Sequence, residues 1–425
     1  MPASRRPDGV LELGGVSLLD VANDAKTGTP AYVYDLTGME AEAQELTRAF
    51  DGAPHLVAYA VKANSAGPVV KALVGAGCGA DVVSGAELLL ALRCGVDPDR
   101  VVFSGVAKTD GELDLAIGAG ARGIGAIQVE SVAEIPRIAA RARAAGRVAR
   151  VSLRINPGVE ADALDTHSYI ATGHDEAKFG VPLESVPTAL ERLAASPELR
   201  LVGLTTHVGS QFTTTDAYLA SARAVFGLTR DVRGRFPLDF VDTGGGFGID
   251  YGEGCPVRPA DFIRQTRRLQ HEMGLGDLAL TCEPGRSLVG AHGVLVARVI
   301  QRKIAGARRW TMIDAGMNDL MRPALYQARH RIEPLALEPG AASSDYRVVG
   351  PVCESSDDFG IHRLPDGDVE AVALLDAGAY GYSMASRYNG RALPAEVFVR
   401  EGAVVGATAR RPVEEWVEDR LRAGT

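Results

Sequence analysis

Short apolar runs alternate with amphipathic segments over the first two thirds of the chain. Segments rich in alanine and leucine, with helical spacing of their apolar positions, lie between these runs, for example at residues 68–77, 85–95 and 186–198. Parallel strands that are buried on both faces read as continuous apolar runs, and alternating strand and helix patterns are typical of an α/β fold. Eight such runs predict a (β/α)8 TIM-type barrel, with an open doubly wound sheet as the alternative. The runs cover residues 55–64, 80–84, 101–105, 123–129, 149–156, 201–209, 238–246 and 278–285.

The pattern changes after about residue 290. Residues 293–316, 346–355, 369–383 and 395–405 alternate or run apolar over short lengths, with glycine and aspartate between them. This pattern predicts a C-terminal antiparallel β domain. Residues 10–36 are also strand-like but come too early for the first barrel strand, so we assign them to the β domain. The predicted domains are an N-terminal segment (1–35) that packs with the β domain, a barrel (36–288) and the C-terminal β domain (289–425).

Composition narrows the class of protein. The chain has 425 residues, of which 46% are hydrophobic and 23% charged, as expected for a two-domain globular enzyme. The net charge of −9 argues against a nucleic-acid or anionic-membrane surface, and no apolar stretch has the length of a signal peptide or a membrane span. The odd number of cysteines and the lack of a CxxC pair argue against a disulfide framework and a zinc ribbon. We therefore expect a cytoplasmic protein with reduced thiols at Cys78, Cys94, Cys255, Cys282 and Cys353.

Four short motifs follow the predicted barrel strands at their carboxyl ends. Lys62 ends the first strand, His207 ends the sixth, a glycine run at 244–246 follows the seventh, and Glu283-Pro284-Gly285-Arg286 follows the eighth. In a (β/α)8 barrel this face carries the active site, and the loops after strands seven and eight commonly bind phosphate. Each motif alone has an ordinary explanation as a solvated lysine, a satisfied histidine or a surface turn. Their joint placement predicts one site, and no GxGxxG, HExxH, Walker A or GxSxG pattern points elsewhere.

The motifs together resemble the fold-type III, alanine racemase-like decarboxylases that use pyridoxal 5′-phosphate (PLP), and most closely the branch acting on diaminopimelate. Ornithine and arginine decarboxylases of the family share only parts of the set. Ala86 and Ala392 stand where the family more often has glycine and proline. The resemblance runs from about residue 30 to about residue 400 and rests on residues 59–64, 207–211, 244–246, 283–286, 321–326, 353–357 and 379–381.

The resemblance implies roles for the barrel residues. Lys62 is the lysine that binds PLP as a Schiff base, and His207 stacks on the ring. Glu283 is placed at the pyridine nitrogen, where a carboxylate keeps the ring protonated and electron-poor. Racemases of this fold have an arginine at that position, so Glu283 favours decarboxylation over racemisation. The other residues that the resemblance assigns to the cofactor are Ser210, Gly244, Gly245, Gly246, Pro284, Gly285, Arg286 and Tyr380.

The resemblance also implies how substrate is bound and reprotonated. Meso-2,6-diaminopimelate has a distal carboxylate and a distal amine, so its pocket needs both a cation and an anion. Arginine suits the carboxylate because its planar fork donates two parallel hydrogen bonds, and Arg286 and Arg322 are assigned to it with Tyr326. Glu354 is assigned to the amine, and Tyr380 lies near the cofactor phosphate. Cys353 is the acid that reprotonates the product, contributed by the second protomer of a homodimer, which would make a monomer inactive.

The expected reaction is therefore decarboxylation of meso-2,6-diaminopimelate to L-lysine and CO2, the last step of lysine biosynthesis. The main alternative is a PLP decarboxylase of the same fold that acts on another amino acid in a specialised pathway. An inactive regulatory binder would be expected to have lost cofactor residues, whereas Lys62, His207, Glu283 and Cys353 are all present. An unrelated barrel enzyme without PLP does not account for the joint motif placement.

Overall fold

The computed structural model describes residues 3–158 and 178–422, which divide into two compact units. The barrel unit comprises Glu40–Ile249, apart from the undescribed residues, and Cys255–Ser287. The β unit comprises the described residues up to Met39, the segment Asp250–Gly254, and the described residues from Leu288 onward. Among the described residues, no helix combines the length and the apolar character needed to cross a bilayer.

The N-terminal part of the β unit contains strands β1 (Ala3–Arg5), β2 (Leu11–Leu13), β3 (Val16–Ser17) and β4 (Ala31–Asp35), with helix α1 (Leu18–Asn23) before β4. The sequence pattern predicted strand throughout residues 10–36, and this prediction is wrong for Leu18–Asn23, which form helix α1. Ser17 ends a strand and caps the helix, because its Oγ accepts a hydrogen bond from the backbone N–H of Asp20 at 3.2 Å. This local cap outweighs the continuous apolar pattern of Leu18, Leu19 and Val21.

Eight parallel strands close into a barrel, which confirms the predicted fold and excludes the open doubly wound sheet. Closure is explicit, because the fourth and fifth strands pair with each other as well as with their outer neighbours. A two-residue strand, β10 (Val181–Pro182), adds to the edge of the fifth barrel strand. The barrel strands are β5 (His55–Ala60), β6 (Gly79–Val82), β7 (Val101–Phe103), β8 (Ala126–Val129), β9 (Ala149–Asn156), β11 (Leu199–Thr205), β12 (Phe240–Asp242) and β13 (Ala279–Cys282).

The helices between these strands bury one apolar stripe each. In the helix over residues 186–194 the buried positions are Val186, Ala189, Leu190 and Leu193, which follow the i, i+3, i+4, i+7 spacing of one helical face. Local caps set several starts, such as the reciprocal capping box of Thr109 and Glu112. The helices are α2 (Leu36–Arg48), α3 (Gly67–Gly75), α4 (Gly85–Arg93), α5 (Asp110–Gly118), α6 (Glu134–Ala144), α7 (Val186–Ala194), α8 (Asp216–Val232), α9 (Pro259–Glu272) and α10 (Arg286–Val289).

The C-terminal part of the β unit is built around the thirteen-residue strand β14, which pairs antiparallel with β4 and with two later strands. Most pairings are antiparallel, as predicted, but β15 with β17 and β20 with β4 are parallel. The members of each parallel pair are far enough apart along the chain that no hairpin joins them. The elements are β14 (Gly293–Ala305), β15 (Arg308–Ile313), α11 (Arg322–Tyr326), β16 (Ile332–Pro334), β17 (Ser343–Val349), β18 (Asp358–Pro365), β19 (Ala371–Leu374), β20 (Ala395–Arg400), β21 (Ala403–Thr408) and α12 (Val413–Leu421).

Candidate active site

The barrel motifs lie just beyond the carboxyl ends of their strands. Lys62 occupies a 3₁₀ turn over Val61–Ala63 that directly follows β5, and Glu283 directly follows β13. The backbone N–H of Ala60 donates to the carbonyl of Pro284 at 3.0 Å, so the first and last barrel strands are joined beside these two side chains. Barrel closure thus sets the backbone from which Lys62 and Glu283 project.

Lys62 forms an ion pair with Asp81. The Lys62 Nζ lies 2.9 Å from Asp81 Oδ2, and the hydroxyl of Ser104 donates to Asp81 Oδ1. The Asp81 side chain is fully buried within β6, whereas 35% of the lysine side chain is exposed. Sequence reasoning did not identify Asp81, although an aspartate inside an apolar run was a usable signal, because buried carboxylates need a partner.

The glycine run forms a close backbone approach that only glycine permits. A Cβ on Gly245 would lie 2.0 Å from the carbonyl oxygen of Glu283, and one on Gly246 would lie 2.3 Å from the carbonyl oxygen of Gly209. Gly244 and Gly246 also have positive φ angles of 71° and 96°, which L side chains rarely adopt. Such a segment lets an anion approach the backbone without obstruction by side chains.

His207 lies two residues beyond β11 and contacts the glycine run. Its Nδ1 accepts a hydrogen bond from the backbone N–H of Gly245 at 3.1 Å, so this nitrogen carries a lone pair. Burial lowers the pKa of His207 well below its ordinary value, and the nearby charges of Arg154 and Lys62 lower it further. His207 is therefore a neutral imidazole at neutral pH, with its proton on Nε2.

Arg154 supports His207 from behind. Its Nη2 donates to the backbone carbonyl of His207 at 3.3 Å, and its Nη1 lies 2.9 Å from Glu130 Oε1. Both charged side chains of this pair are buried. The ion pair with Glu130 fixes Arg154, whose hydrogen bond holds the backbone at His207 in place. The positive charge of Arg154 also disfavours protonation of the His207 ring.

Glu283 lies in a buried acidic pair. Its Oε1 accepts a hydrogen bond from Gln128 Nε2 at 2.7 Å, and its Oε2 lies 4.0 Å from His207 Nδ1. Burial raises the pKa of Glu283 well above its ordinary value, and the negative charges of Asp242 and Asp81 raise it further. Burial raises the pKa of Asp242 too, although the backbone N–H of Gly244 donates to its Oδ1 at 2.8 Å. Burial therefore favours the protonated form of both carboxyl groups.

Arg286 and Ser210 contact each other at the start of α10. The Nη2 of Arg286 donates to the hydroxyl of Ser210 at 3.1 Å, and Arg286 is buried. Gly285 directly precedes this helix and is buried as well. The structure thus brings together in the barrel unit every residue that the sequence placed there, namely Lys62, His207, Ser210, Gly244, Gly245, Gly246, Glu283, Pro284, Gly285 and Arg286.

The remaining predicted residues belong to the β unit, and Arg322 and Tyr326 lie on α11. Arg322 is the first residue of this helix and is buried, and its Nη1 lies 2.7 Å from Nε2 of His330. Tyr326 is the last residue of the helix and is half-buried. Their spacing of four residues places both side chains on one helical face.

Cys353 and Glu354 lie in the loop between β17 and β18. Cys353 is exposed, and its backbone N–H donates to Oδ1 of Asn389 at 3.4 Å. Glu354 accepts a hydrogen bond from the hydroxyl of Tyr388 at 2.6 Å. The loop is braced by the buried carboxylate of Asp357, which accepts from the backbone N–H groups of Val352 and Met317 at 2.6 Å each.

Tyr380 lies in the loop after β19 and has a φ angle of 54°. A tyrosine in the left-handed region is uncommon, and such strain occurs most often at functional sites. The loop is closely packed, since a Cβ on the preceding Gly378 would lie 1.9 Å from the carbonyl oxygen of Val289. Dense packing explains how the strained backbone at Tyr380 is maintained.

The residues of the barrel unit fit PLP. A lysine amine, a glycine segment that excludes Cβ atoms and a buried carboxyl group correspond to the aldehyde, phosphate and pyridine nitrogen of that cofactor. The neutral ring of His207 beside the glycine run adds a flat surface for stacking. The chemistry of these residues therefore matches the groups of the cofactor.

Comparisons with known proteins agree with this chemistry. Residues 36–290 match the family described as "Pyridoxal-dependent decarboxylase, pyridoxal binding domain". Diaminopimelate decarboxylase of Zymomonas mobilis is 38% identical over 420 residues, which are 97% of each chain, and that of Pseudomonas aeruginosa is 39% identical over 413 residues, 96% of each chain. The crystal structure of diaminopimelate decarboxylase from Helicobacter pylori complexed with L-lysine matches with a TM-score of 0.87 and 34% identity, and covers 95% of this chain and 99% of that one.

Proposed function

The chain belongs to the pyridoxal-dependent diaminopimelate decarboxylases, and from this membership we infer that it converts meso-2,6-diaminopimelate to L-lysine and CO2 with PLP as cofactor. The observation in the structure that carries the reaction type is the buried carboxyl group of Glu283, whose Oε1 accepts a hydrogen bond from Gln128 and whose pKa is raised by burial. When bound, PLP supplies an electron-poor ring that accepts the electron pair left by departing CO2.

We propose the following roles in cofactor binding for the residues of the barrel unit, on the basis of their contacts. Lys62 binds the cofactor covalently, and Asp81 holds the lysine amine whenever it is not so bound. Glu283 holds a proton at the pyridine nitrogen, and Gln128 orients its carboxyl group. His207 stacks on the ring as a neutral imidazole and so adds no charge to it. Ser210, Arg286 and the glycine run bind the phosphate.

We assign substrate recognition to Arg322, Arg286 and Tyr326 for the distal carboxylate, and to Glu354 for the distal amine. A carboxylate and an amine on one carbon require one positive and one negative partner, and arginine and glutamate are side chains of these charges. Glu354 already accepts a hydrogen bond from Tyr388, so its position as an acceptor is set. Tyr380 is assigned to the cofactor phosphate and to substrate.

We further propose that the active form is a homodimer in which Cys353 of one protomer donates the proton that replaces CO2 in the site of the other. Two observations support this assignment. Cys353 is exposed in the isolated chain, whereas free cysteines are usually buried. The loop that carries it is nonetheless held by two short hydrogen bonds to Asp357, so the thiol is presented in a defined position.

Absorption spectroscopy and a substrate panel test this function together. The purified protein with added PLP is expected to show the visible band of a lysine Schiff base, and Lys62→Ala is expected to lack it. The holoenzyme is expected to release CO2 from meso-diaminopimelate in preference to ornithine, arginine and lysine. A protein without the band would refute PLP dependence, and activity on ornithine but not on diaminopimelate would refute the assignment of Arg322.

A further inference from the structure

Arg322 is held by two side chains, His330 and Tyr251, to which the sequence analysis assigned no role. We propose that His330 and Tyr251 are positioning residues that fix the plane and direction of the Arg322 guanidinium, and so set the affinity of the enzyme for the distal carboxylate of its substrate. The inference rests on the proposed function, because it deepens the role assigned there to Arg322. Neither residue belongs to the set that the family resemblance assigned.

His330 acts on one edge of the guanidinium. Its Nδ1 lies 2.8 Å from the carbonyl oxygen of Leu375, and because that oxygen only accepts, Nδ1 carries the proton. The Nε2 lone pair of the neutral ring then accepts from Nη1 of Arg322 at 2.7 Å. Arg322 and His330 are 5% and 2% exposed, so solvent does not compete strongly for this hydrogen bond. The backbone carbonyl of Leu375 thus sets the tautomer of His330, and this tautomer leaves the lone pair on Nε2 to accept the hydrogen bond from Arg322.

Tyr251 acts on the face of the guanidinium. The Cζ of Arg322 lies 4.8 Å from the centre of the Tyr251 ring, within the range of a cation–π contact. The Tyr251 ring also meets the His330 ring edge-on, with centres 5.4 Å apart and an interplanar angle of 77°. Tyr251 comes from the five-residue segment Asp250–Gly254, and Asp250 Oδ1 holds this segment by accepting from the backbone N–H groups of Gly252 and Gly254.

This arrangement has a consequence for binding. An arginine side chain loses rotamer freedom when it is fixed, and a carboxylate gains its two parallel hydrogen bonds only if the guanidinium lies in the correct plane. His330 uses one of the five N–H donors, and Tyr251 restricts rotation of the plane. If the arginine is already fixed before substrate arrives, binding does not carry the entropic cost of ordering its side chain. The effect is a tighter dissociation constant rather than a faster catalytic step.

Binding of two amines to the PLP-loaded protein separates positioning from a merely structural role. L-lysine carries the carboxylate that Arg322 would bind, whereas cadaverine has hydrogen in its place. In His330→Leu, the dissociation constant for L-lysine is expected to rise about tenfold, while that for cadaverine stays within about threefold. The KM for diaminopimelate should rise by a similar factor with kcat little changed. His330→Gln, whose amide accepts from Arg322 and donates to Leu375, should restore most of the affinity.

Tyr251 offers a matched pair of variants. Tyr251→Phe keeps the aromatic face and should bind L-lysine as the wild type does, whereas Tyr251→Leu should bind it several-fold more weakly. Equal losses for L-lysine and cadaverine, or loss of the Schiff-base band in His330→Leu, would mean a structural role and overturn the proposal, as would unchanged L-lysine binding. These titrations need no turnover, so a wild type that releases no CO2 from diaminopimelate would refute the proposed function separately.

Discussion

The Nζ of Lys62 lies 2.9 Å from a carboxylate oxygen of Asp81, and the carboxylate is fully buried while the lysine is partly exposed. The hydroxyl of Ser104 occupies the other oxygen of Asp81. The carboxylate of Asp81 is therefore held from both sides, by Ser104 and by Lys62. Under the proposed function, Asp81 would hold the Lys62 amine whenever that amine is not bonded to the cofactor.

Replacement of Asp81 by asparagine should affect the cofactor-free protein and the catalytic cycle differently. The Schiff-base band should still form, because the amine itself is retained. The free energy of unfolding of the cofactor-free protein should fall by about 1–3 kcal/mol, the usual contribution of a hydrogen bond to a charged group. Denaturant titration measures this free energy. A double-mutant cycle of Lys62→Met and Asp81→Asn should give a non-zero coupling energy between the two residues. Additive effects in that cycle would argue against the pair.

Glu283→Gln should separate cofactor binding from cofactor activation. The amide keeps the shape and the hydrogen bond to Gln128 but cannot supply a proton to the ring nitrogen. We expect PLP content to remain near that of the wild type while kcat falls about 100-fold or more. The same substitution at Glu272, on the exposed end of α9, is the control and should leave kcat unchanged. A fully active Glu283→Gln would exclude this residue from the chemistry.

Gly245→Ala should disable the phosphate-binding segment. Its Cβ would lie 2.0 Å from the backbone carbonyl oxygen of Glu283, so either the glycine run or the start of the Glu283 loop must move. The affinity for PLP, measured by titration of the absorption band, should fall at least about tenfold. Gly227→Ala on α8 meets no atom within 4 Å and should be neutral or slightly stabilising. Normal PLP affinity in Gly245→Ala would contradict the assigned role.

Glu396 should make stability depend on pH. Burial in β20 raises the pKa of Glu396 from its ordinary value to about 7. A raised carboxyl pKa means that its stabilising contribution is complete below the ordinary pKa and is lost as the pH rises through about 7. Glu396→Gln should therefore match the wild type near pH 5 and exceed it by up to about 3 kcal/mol near pH 8. Identical pH profiles of unfolding would exclude the effect, and exposed Glu401→Gln serves as control.

Complementation should test the shared site of the proposed homodimer. Lys62→Ala and Cys353→Ala should each be inactive alone. When equal amounts are co-expressed, half of the dimers combine one of each, and each mixed dimer has one intact site. Activity should then return to about a quarter of that of the wild type. Absence of any recovery, with mixed dimers demonstrated by differential tagging, would place Cys353 in its own protomer's site.

The barrel and the end of it that carries the candidate site were predictable from the sequence. The barrel follows from the alternation of apolar runs and helical segments, and the position of the site follows from the rule that barrel active sites lie at the carboxyl ends of the strands. Apolar runs between helices predicted the strands, and the active face of a barrel lies at the carboxyl ends, which placed Lys62, His207 and Glu283 on one side. The run at 55–64 extended past the strand end at Ala60 because a 3₁₀ turn with buried Val61 continues the apolar pattern.

The partners of these residues were not predictable in the same way. Asp81 and Gln128 lie inside apolar strands, and their pairing with Lys62 and Glu283 depends on strand register around the closed barrel. Residues separated by 155 positions, such as Gln128 and Glu283, meet only through that register. His330 and Tyr251 were missed because their contacts with Arg322 arise from side-chain packing in the β unit, which no apolar pattern predicts. The substrate residues of the β unit came from the family resemblance alone.

The segment Asp250–Gly254 has a further consequence. Because five residues of the loop after β12 belong to the β unit, the chain passes between the two units at four points rather than two. Neither unit is a contiguous stretch of gene. Recombination between relatives at a single crossover between Tyr251 and Arg322 would separate these two residues. An exchange of the whole β unit must carry three stretches of sequence together.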